Sequence, residues 1–124
     1  MKIARWLIVA GSVVLFLSAL FHGSGYFKLG AAIEKSGAEL MLVHAFKAFW
    51  LMFSFHLIVL SAIFIAVSRT SQAKPLVLLC TLIPASDTVL LYHFLGVFIG
   101  TIALAIATLL FLAGGLLLPR AGAT

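Results

Sequence analysis

Four long apolar stretches dominate this sequence, and each is close to the length that crosses a lipid bilayer. A transmembrane helix needs about 20 mostly apolar residues to cover roughly 30 Å of hydrocarbon. The predicted spans are residues 6–22, 42–68, 76–92 and 96–118. Apolar residues make up 65% of the chain and charged residues 9%, which lies outside the range of water-soluble domains. We therefore predict one transmembrane domain over residues 1–124, with residues 23–41 as its long outer connection.

The basic residues predict which side of the membrane each connection faces. Those that flank the spans on one side are Lys2, Arg5, Arg69, Lys74 and Arg120. The connection 23–41 instead balances two lysines against two glutamates. Because basic residues concentrate on the cytoplasmic side, both termini are predicted to be cytoplasmic, in a bacterial inner membrane. The net charge of +5 then reflects topology, and no basic cluster or aromatic ladder indicates a nucleic-acid partner.

Small and polar residues recur at seven-residue intervals and predict how the spans pack. The repeats are Ala4, Gly11 and Ser18, then Lys47, Ser54, Ser61 and Ser68, then Cys80 with Asp87 and Thr81 with Thr88, and finally Gly96 with Ala103, beside Gly100, Ala107 and Gly114. A period of about 3.5 residues keeps one seam toward the neighbouring helices of a left-handed bundle. We therefore predict an all-α, antiparallel bundle of four transmembrane helices. The Gly96-x-x-x-Gly100 pair predicts close approach of another helix and is compatible with a homodimer.

An aromatic-histidine motif occurs twice in the same frame. Phe21-His22 is followed by Gly25 and Phe27, and Tyr92-His93 is followed by Gly96 and Phe98. Both motifs end spans that run outward in the predicted topology, so His22 and His93 should reach the same outer level. Tyr92 and Trp50 also fit the ordinary role of aromatic anchors near the membrane surface.

Ionisable residues predict an outward-facing polar site. His44 and Lys47 are three residues apart on one helix face, and Asp87 lies in the outer third of span three. Because an acid inside a membrane is costly, Asp87 should be functional or paired with Lys47 or His93. Pro84 should kink its helix and free the Cys80 carbonyl, which favours a small polar cavity beside Asp87. The candidate ligand-binding residues are His22, His44, Lys47, Trp50, His56, Asp87, Tyr92 and His93.

Three classes of function are compatible with such a site. The first is binding of a lipid or another amphipathic small molecule, or an accessory role in a larger membrane complex. The second is a b-type haem or a metal held by His22, His44 or His93, although no two histidines share a helix at ligand spacing. The third is a proton-coupled transporter or membrane enzyme that uses Asp87 and a histidine, although no nucleophile motif or second intramembrane acid is present. We expect binding or an accessory role rather than catalysis.

Two segments in the first half of the chain carry a resemblance to other proteins. They are "FHGSGYF", residues 21–27, and "FWLMFSFHLIVLSAIF", residues 49–64. This layout resembles that of small bacterial four-helix inner-membrane proteins without an assigned activity, which have His-Gly after the first span and Trp with a Phe/Ser run in the second. The resemblance implies the topology and nothing about function.

Overall fold

The computed structural model describes residues 2–119, and all regular structure within that range is helical. The helices are α1 (Lys2–Ser24), α2 (Tyr26–Lys35), α3 (Leu40–Val67), α4 (Ala73–Leu95) and α5 (Ile99–Leu117). Four helical segments are long and apolar enough to cross a membrane, namely α1 with its continuation α2, then α3, α4 and α5. The predicted all-α class with four spans is confirmed. Arg120, one of the basic residues used to predict topology, lies outside the described residues.

The helix bounds differ from the predicted spans in two places. The outer connection is largely helical, because α2 follows directly after Gly25 and Met41 already belongs to α3. The last helix begins at Ile99 rather than at residue 96, because Gly96 caps α4 with a φ of +73°, which L side chains rarely adopt. The prediction that Gly96 and Gly100 form a helix-packing surface is therefore wrong. The nearest side chain to Gly100 is that of Phe98, two residues earlier.

The four long helices form an antiparallel bundle in which α1 contacts α3 and α5, and α5 also contacts α4. Ser61 of α3 lies beside Ser12, whereas Ser54 lies beside His22, so α1 and α3 run in opposite directions. The start of α1, the α3–α4 turn and the end of α5 lie together at what we call the basic end. The opposite end, which contains α2, is called the α2 end. The helices α3 and α4 contact each other sparsely.

Small residues hold the helices together at the basic end. A Cβ atom on Gly114 would lie 3.0 Å from the Ala4 carbonyl oxygen, and one on Gly11 would lie 2.8 Å from the Phe111 ring. That ring stacks on Phe64 with centroids 3.5 Å apart, so it has little freedom to move. Close packing of this kind drives helix association where lipid is as apolar as the side chains.

The seven-residue repeats identify much of this packed surface correctly. Their buried members are Ala4, Gly11, Ser54, Ser61, Ser68, Thr81, Ala107 and Gly114. Ser61 also donates a hydrogen bond of 2.9 Å to the Ser12 carbonyl oxygen, which links α3 to α1 across the core. Cys80 is half-buried and packs against the same core.

Candidate functional site

At the α2 end the bundle contains a half-open cavity of about 590 Å³. All four long helices contribute to its wall, which includes Val14, Leu17, Phe21, Phe53, Leu57, Leu91, Leu95 and Leu104. The small residues that also line it are Ser18, Ser24, Gly25, Gly100 and Ala103. The helices leave a half-open void here, in contrast to the close contact found at the basic end. The cavity is therefore mainly apolar.

His22 supplies an imidazole to the cavity wall and is held from two sides. Its ring stacks on Trp50 with centroids 4.0 Å apart and 13° between the planes, and it meets Phe53 edge-on at 5.1 Å. The Trp50 indole Nε1–H donates a hydrogen bond of 2.8 Å to the His22 carbonyl oxygen, which lies in the last turn of α1. The same carbonyl oxygen also accepts a hydrogen bond of 3.1 Å from the Gly25 N–H, so both of its lone pairs are used. Trp50 thus fixes both the ring and the backbone of His22.

The hydrogen bonds around Ser54 favour the imidazole tautomer in which Nδ1 carries the proton. The Ser54 hydroxyl donates to the Trp50 carbonyl oxygen at 3.3 Å, and its oxygen lies 2.9 Å from Nδ1 of His22. A serine has one hydroxyl hydrogen, so Ser54 accepts a hydrogen bond from Nδ1–H. In the neutral ring Nε2 then keeps its lone pair, for which no described residue provides a donor. This tautomer is assigned with the Ser54 hydroxyl hydrogen directed at the Trp50 carbonyl oxygen.

The predicted partners of Asp87 are wrong. Its Oδ2 lies 3.0 Å from Nε2 of His56, and the pair joins α3 to α4. Asp87 meets neither Lys47 nor His93, because α4 continues eight residues beyond it, to Leu95. That length corresponds to about 12 Å and places Asp87 deeper than expected, at the level of His56. Asp87 does not line the cavity, so the cavity at the α2 end is not the one predicted beside Pro84.

Lys47 forms an ion pair with Glu34 instead, which connects α3 to α2. Its side chain also covers Gly30, where a Cβ atom would lie 3.0 Å from Cε of Lys47. His44 is exposed three residues earlier on α3. These two residues therefore belong to the packing and surface of α2 and α3, and neither lines the cavity.

The second aromatic-histidine motif does not contribute to the cavity through its histidine. Tyr92 and His93 are both exposed, and the His93 ring meets only Phe94, edge-on at 4.9 Å, among the described aromatic rings. His22 and His93 do reach the same end of the bundle, since Phe21 and Leu91 line one cavity. Within residues 2–119 no group of three metal-ligating side chains forms, so His22, His44 and His93 do not converge on a metal centre.

The predicted site residues include His22 and Trp50 but not Phe53 and Ser54, which also contact the imidazole. Trp50, Phe53 and Ser54 are spaced by three and four residues and therefore share one face of α3. That spacing was visible in the sequence. What the sequence could not show was that this face meets the last turn of α1.

The fold and the cavity define an all-helical, multi-pass membrane protein with an apolar chamber at one end of its bundle. Comparisons with models of known families, with curated proteins and with solved structures find no match to this chain. The function is therefore inferred from the geometry of the site.

Proposed function

We propose that this protein binds an amphipathic small molecule whose apolar body occupies the cavity at the α2 end. The observation that carries the proposal is a chamber of about 590 Å³ with apolar walls and one imidazole held in a fixed orientation. Small-molecule sites are commonly clefts of this size, in which a few placed polar groups orient the ligand. The predicted binding role and the predicted residues His22 and Trp50 enter this proposal, whereas Lys47, Asp87 and His93 do not.

The polar side chains of the wall favour a ligand that donates a hydrogen bond. The hydroxyl groups of Ser18 and Ser24 donate to the carbonyl oxygens of Val14 and Phe21, at 2.7 and 2.6 Å. Their oxygens and Nε2 of His22 therefore offer acceptors to the cavity. A long-chain alcohol, or a phenol with an apolar tail such as a reduced quinone, would satisfy His22 with its hydroxyl hydrogen. An ester or ketone that has only acceptors would leave that nitrogen without a partner.

The proposed setting is a bacterial inner membrane, with both termini in the cytoplasm and the α2 end outside. Lys2, Arg5, Arg69 and Lys74 lie at the basic end, and both glutamates of the chain belong to the segment between α1 and α3. This distribution follows the excess of basic residues on cytoplasmic surfaces. The seven-residue repeats further favour a left-handed crossing of the helices. In this orientation the cavity opens toward the outer leaflet.

Trp50 provides a direct reporter of ligand binding, because it lines the cavity and is one of two tryptophans in the chain. A Trp6→Phe variant in lipid nanodiscs would leave Trp50 as the only tryptophan. Titration with a long-chain alcohol that carries a terminal bromine should quench its fluorescence with a saturable curve, since bromine quenches only at contact. Bromoalcohol that merely dissolves in the bilayer quenches in proportion to its concentration.

Two phenylalanine substitutions on α5 distinguish ligand binding in the cavity from ligand contact with the lipid-facing surface. Ala103→Phe places a ring in the cavity and should remove the saturable part of the quenching. Ala113→Phe adds the same ring at an exposed position of the same helix and should leave the curve unchanged. Identical curves for the parent protein and both variants would refute binding in the cavity.

A further inference from the structure

A polar pair lies on a sparsely packed part of the bundle surface, between α3 and α4. The side chains of His56 and Asp87 are 37% and 18% exposed, although both belong to helices that span the membrane. Apolar residues next to them, such as Phe55, Val89 and Leu90, are also exposed. Histidine and aspartate thus reach toward the hydrocarbon, where polar and ionisable groups are costly unless protein covers them.

Each member of the pair also has one hydrogen-bonding atom that the described residues do not use. The contact joins Nε2 of His56 to Oδ2 of Asp87, so Nδ1 and Oδ1 remain without a partner among residues 2–119. No buried side-chain nitrogen or oxygen lacks a hydrogen bond in that range, so these two atoms are accessible at the surface. Lipid acyl chains cannot form hydrogen bonds with these two atoms, whereas a polar group on another transmembrane helix can.

We propose that the α3–α4 face around His56 and Asp87 is the surface through which two copies of this chain pair in the membrane. A two-fold interface brings the same patch of both copies together in opposite orientation, so the patch must be complementary to itself. This patch is self-complementary, because it presents an imidazole nitrogen and a carboxylate oxygen side by side. With one proton between Nε2 and Oδ2 within each copy and a second proton on Nδ1, His56 of each copy can donate from Nδ1–H to Oδ1 of Asp87 in the other copy. The four side chains then form a closed set without net charge.

The interface does not depend on the proposed ligand, because neither His56 nor Asp87 lines the cavity. The sparse contact between α3 and α4 favours the same surface, since the two helices cover little of each other there. This surface also differs from the Gly96–Gly100 segment, whose glycines do not form a helix face.

Energy transfer between labelled copies in lipid vesicles tests the proposal. Ser71 is exposed in the α3–α4 turn, so a Ser71→Cys, Cys80→Ser protein can carry donor or acceptor dyes at one place. Energy transfer should persist when added lipid lowers the density of protein in the membrane, until that density falls below the dissociation constant of the dimer. Replacing the pair by leucines, His56→Leu with Asp87→Leu, should weaken pairing about tenfold or more, as expected for the loss of hydrogen bonds between helices.

Two controls separate the interface from general damage to the fold. The exchanged variant, His56→Asp with Asp87→His, keeps a self-complementary pair and should restore energy transfer. His44→Leu removes an exposed histidine from the same helix at the α2 end and should have no effect. Wild-type copies that stay monomeric at every density, or a double-leucine variant that pairs as tightly as the wild type, would overturn the proposal. Circular dichroism of each variant establishes that the helices remain folded.

Discussion

His22 is oriented by its neighbours before any ligand arrives. The stacked Trp50 ring, the edge of Phe53 and the oxygen of Ser54 together restrict rotation of the imidazole. A side chain that is already fixed loses little conformational entropy on binding, which favours affinity for a ligand that uses its free nitrogen. The same restraints explain why one histidine of the chain, rather than a cluster, suffices for the proposed site.

Replacing His22 by phenylalanine should separate the polar from the apolar part of binding. His22→Phe keeps an aromatic ring against Trp50 but removes Nε2, so the bromoalcohol should bind about five- to tenfold more weakly, as for one neutral hydrogen bond. A bromoalkane of the same length has no hydroxyl and should bind equally well to both proteins. Trp50 quenching in the Trp6→Phe background measures both affinities, and His44→Phe is the control. Equal losses of affinity for the bromoalcohol and the bromoalkane would show that His22 contributes through its shape alone.

Gly114 should be far less tolerant of a methyl group than Gly23. Gly114→Ala places a Cβ 2.8 Å from Cγ1 of Ile8 and 3.0 Å from a backbone oxygen, whereas the nearest atom to a Cβ on Gly23 lies at 3.6 Å. Overpacking of this kind costs about 1–3 kcal/mol. Unfolding of both variants in mixed micelles should therefore show a loss of stability for Gly114→Ala only. A comparable loss for Gly23→Ala would indicate that helix contact at the basic end is not what limits stability.

The helix α2 lies at the rim of the cavity, and its attachment to α3 depends on few contacts. Leu29 of α2 and Gly25 before it line the cavity, and the ion pair of Glu34 with Lys47 fastens the following turn. Because Lys47 also covers Gly30, one lysine contributes both charge and packing to this attachment. The helix is thus positioned to control access to the cavity.

Breaking the ion pair should loosen α2 without unfolding the bundle. Glu34→Gln removes the charge opposite Lys47, so backbone amides of residues 26–35 should exchange their hydrogens faster while those of α1 and α5 keep their rates. Hydrogen exchange followed by mass spectrometry resolves these segments. The reversed pair, Glu34→Lys with Lys47→Glu, should restore slow exchange in α2. If exchange in α2 did not respond to Glu34→Gln, packing rather than charge would hold the helix.

The elements differ in how far the sequence alone defines them. Hydrophobic length predicts the four spans, and the seven-residue spacing predicts much of their packed surface, because both properties are local. The helix α2 lies within residues 23–41, which were predicted as a connection, since its Gly-rich start resembles a loop. The partner of Asp87 depended on where α4 ends, and an error of three residues shifts a side chain by about 5 Å along a helix. Contacts between helices that are far apart in the sequence therefore could not be predicted from the sequence alone.

The helices of the molecule pack closely at one end and leave a cavity at the other. Glycines and serines bring α1, α3 and α5 into contact at the basic end, whereas the cavity occupies the α2 end. In the proposed topology the closed end faces the cytoplasm and the cavity faces outward. A ligand would then enter from the outer leaflet or from the space outside the membrane.

Single-cysteine labelling tests this orientation in intact bacterial cells. Ser36→Cys lies between α2 and α3, and Ser71→Cys lies between α3 and α4, and both positions are exposed. In a Cys80→Ser background, a membrane-impermeant maleimide should label Ser36→Cys directly, but Ser71→Cys only after the membrane is opened. The reverse pattern would place the cavity on the cytoplasmic side.

Native mass spectrometry of the protein released from mild detergent tests ligand binding most directly. The wild-type chain should carry one additional small molecule per copy, an amphipathic compound with a hydroxyl group. Ala113→Phe should retain this mass and Ala103→Phe should lose it, because only the latter fills the cavity. A wild-type chain without any bound molecule, even after incubation with a long-chain alcohol, would contradict the proposed function. So would a bound molecule that survives Ala103→Phe.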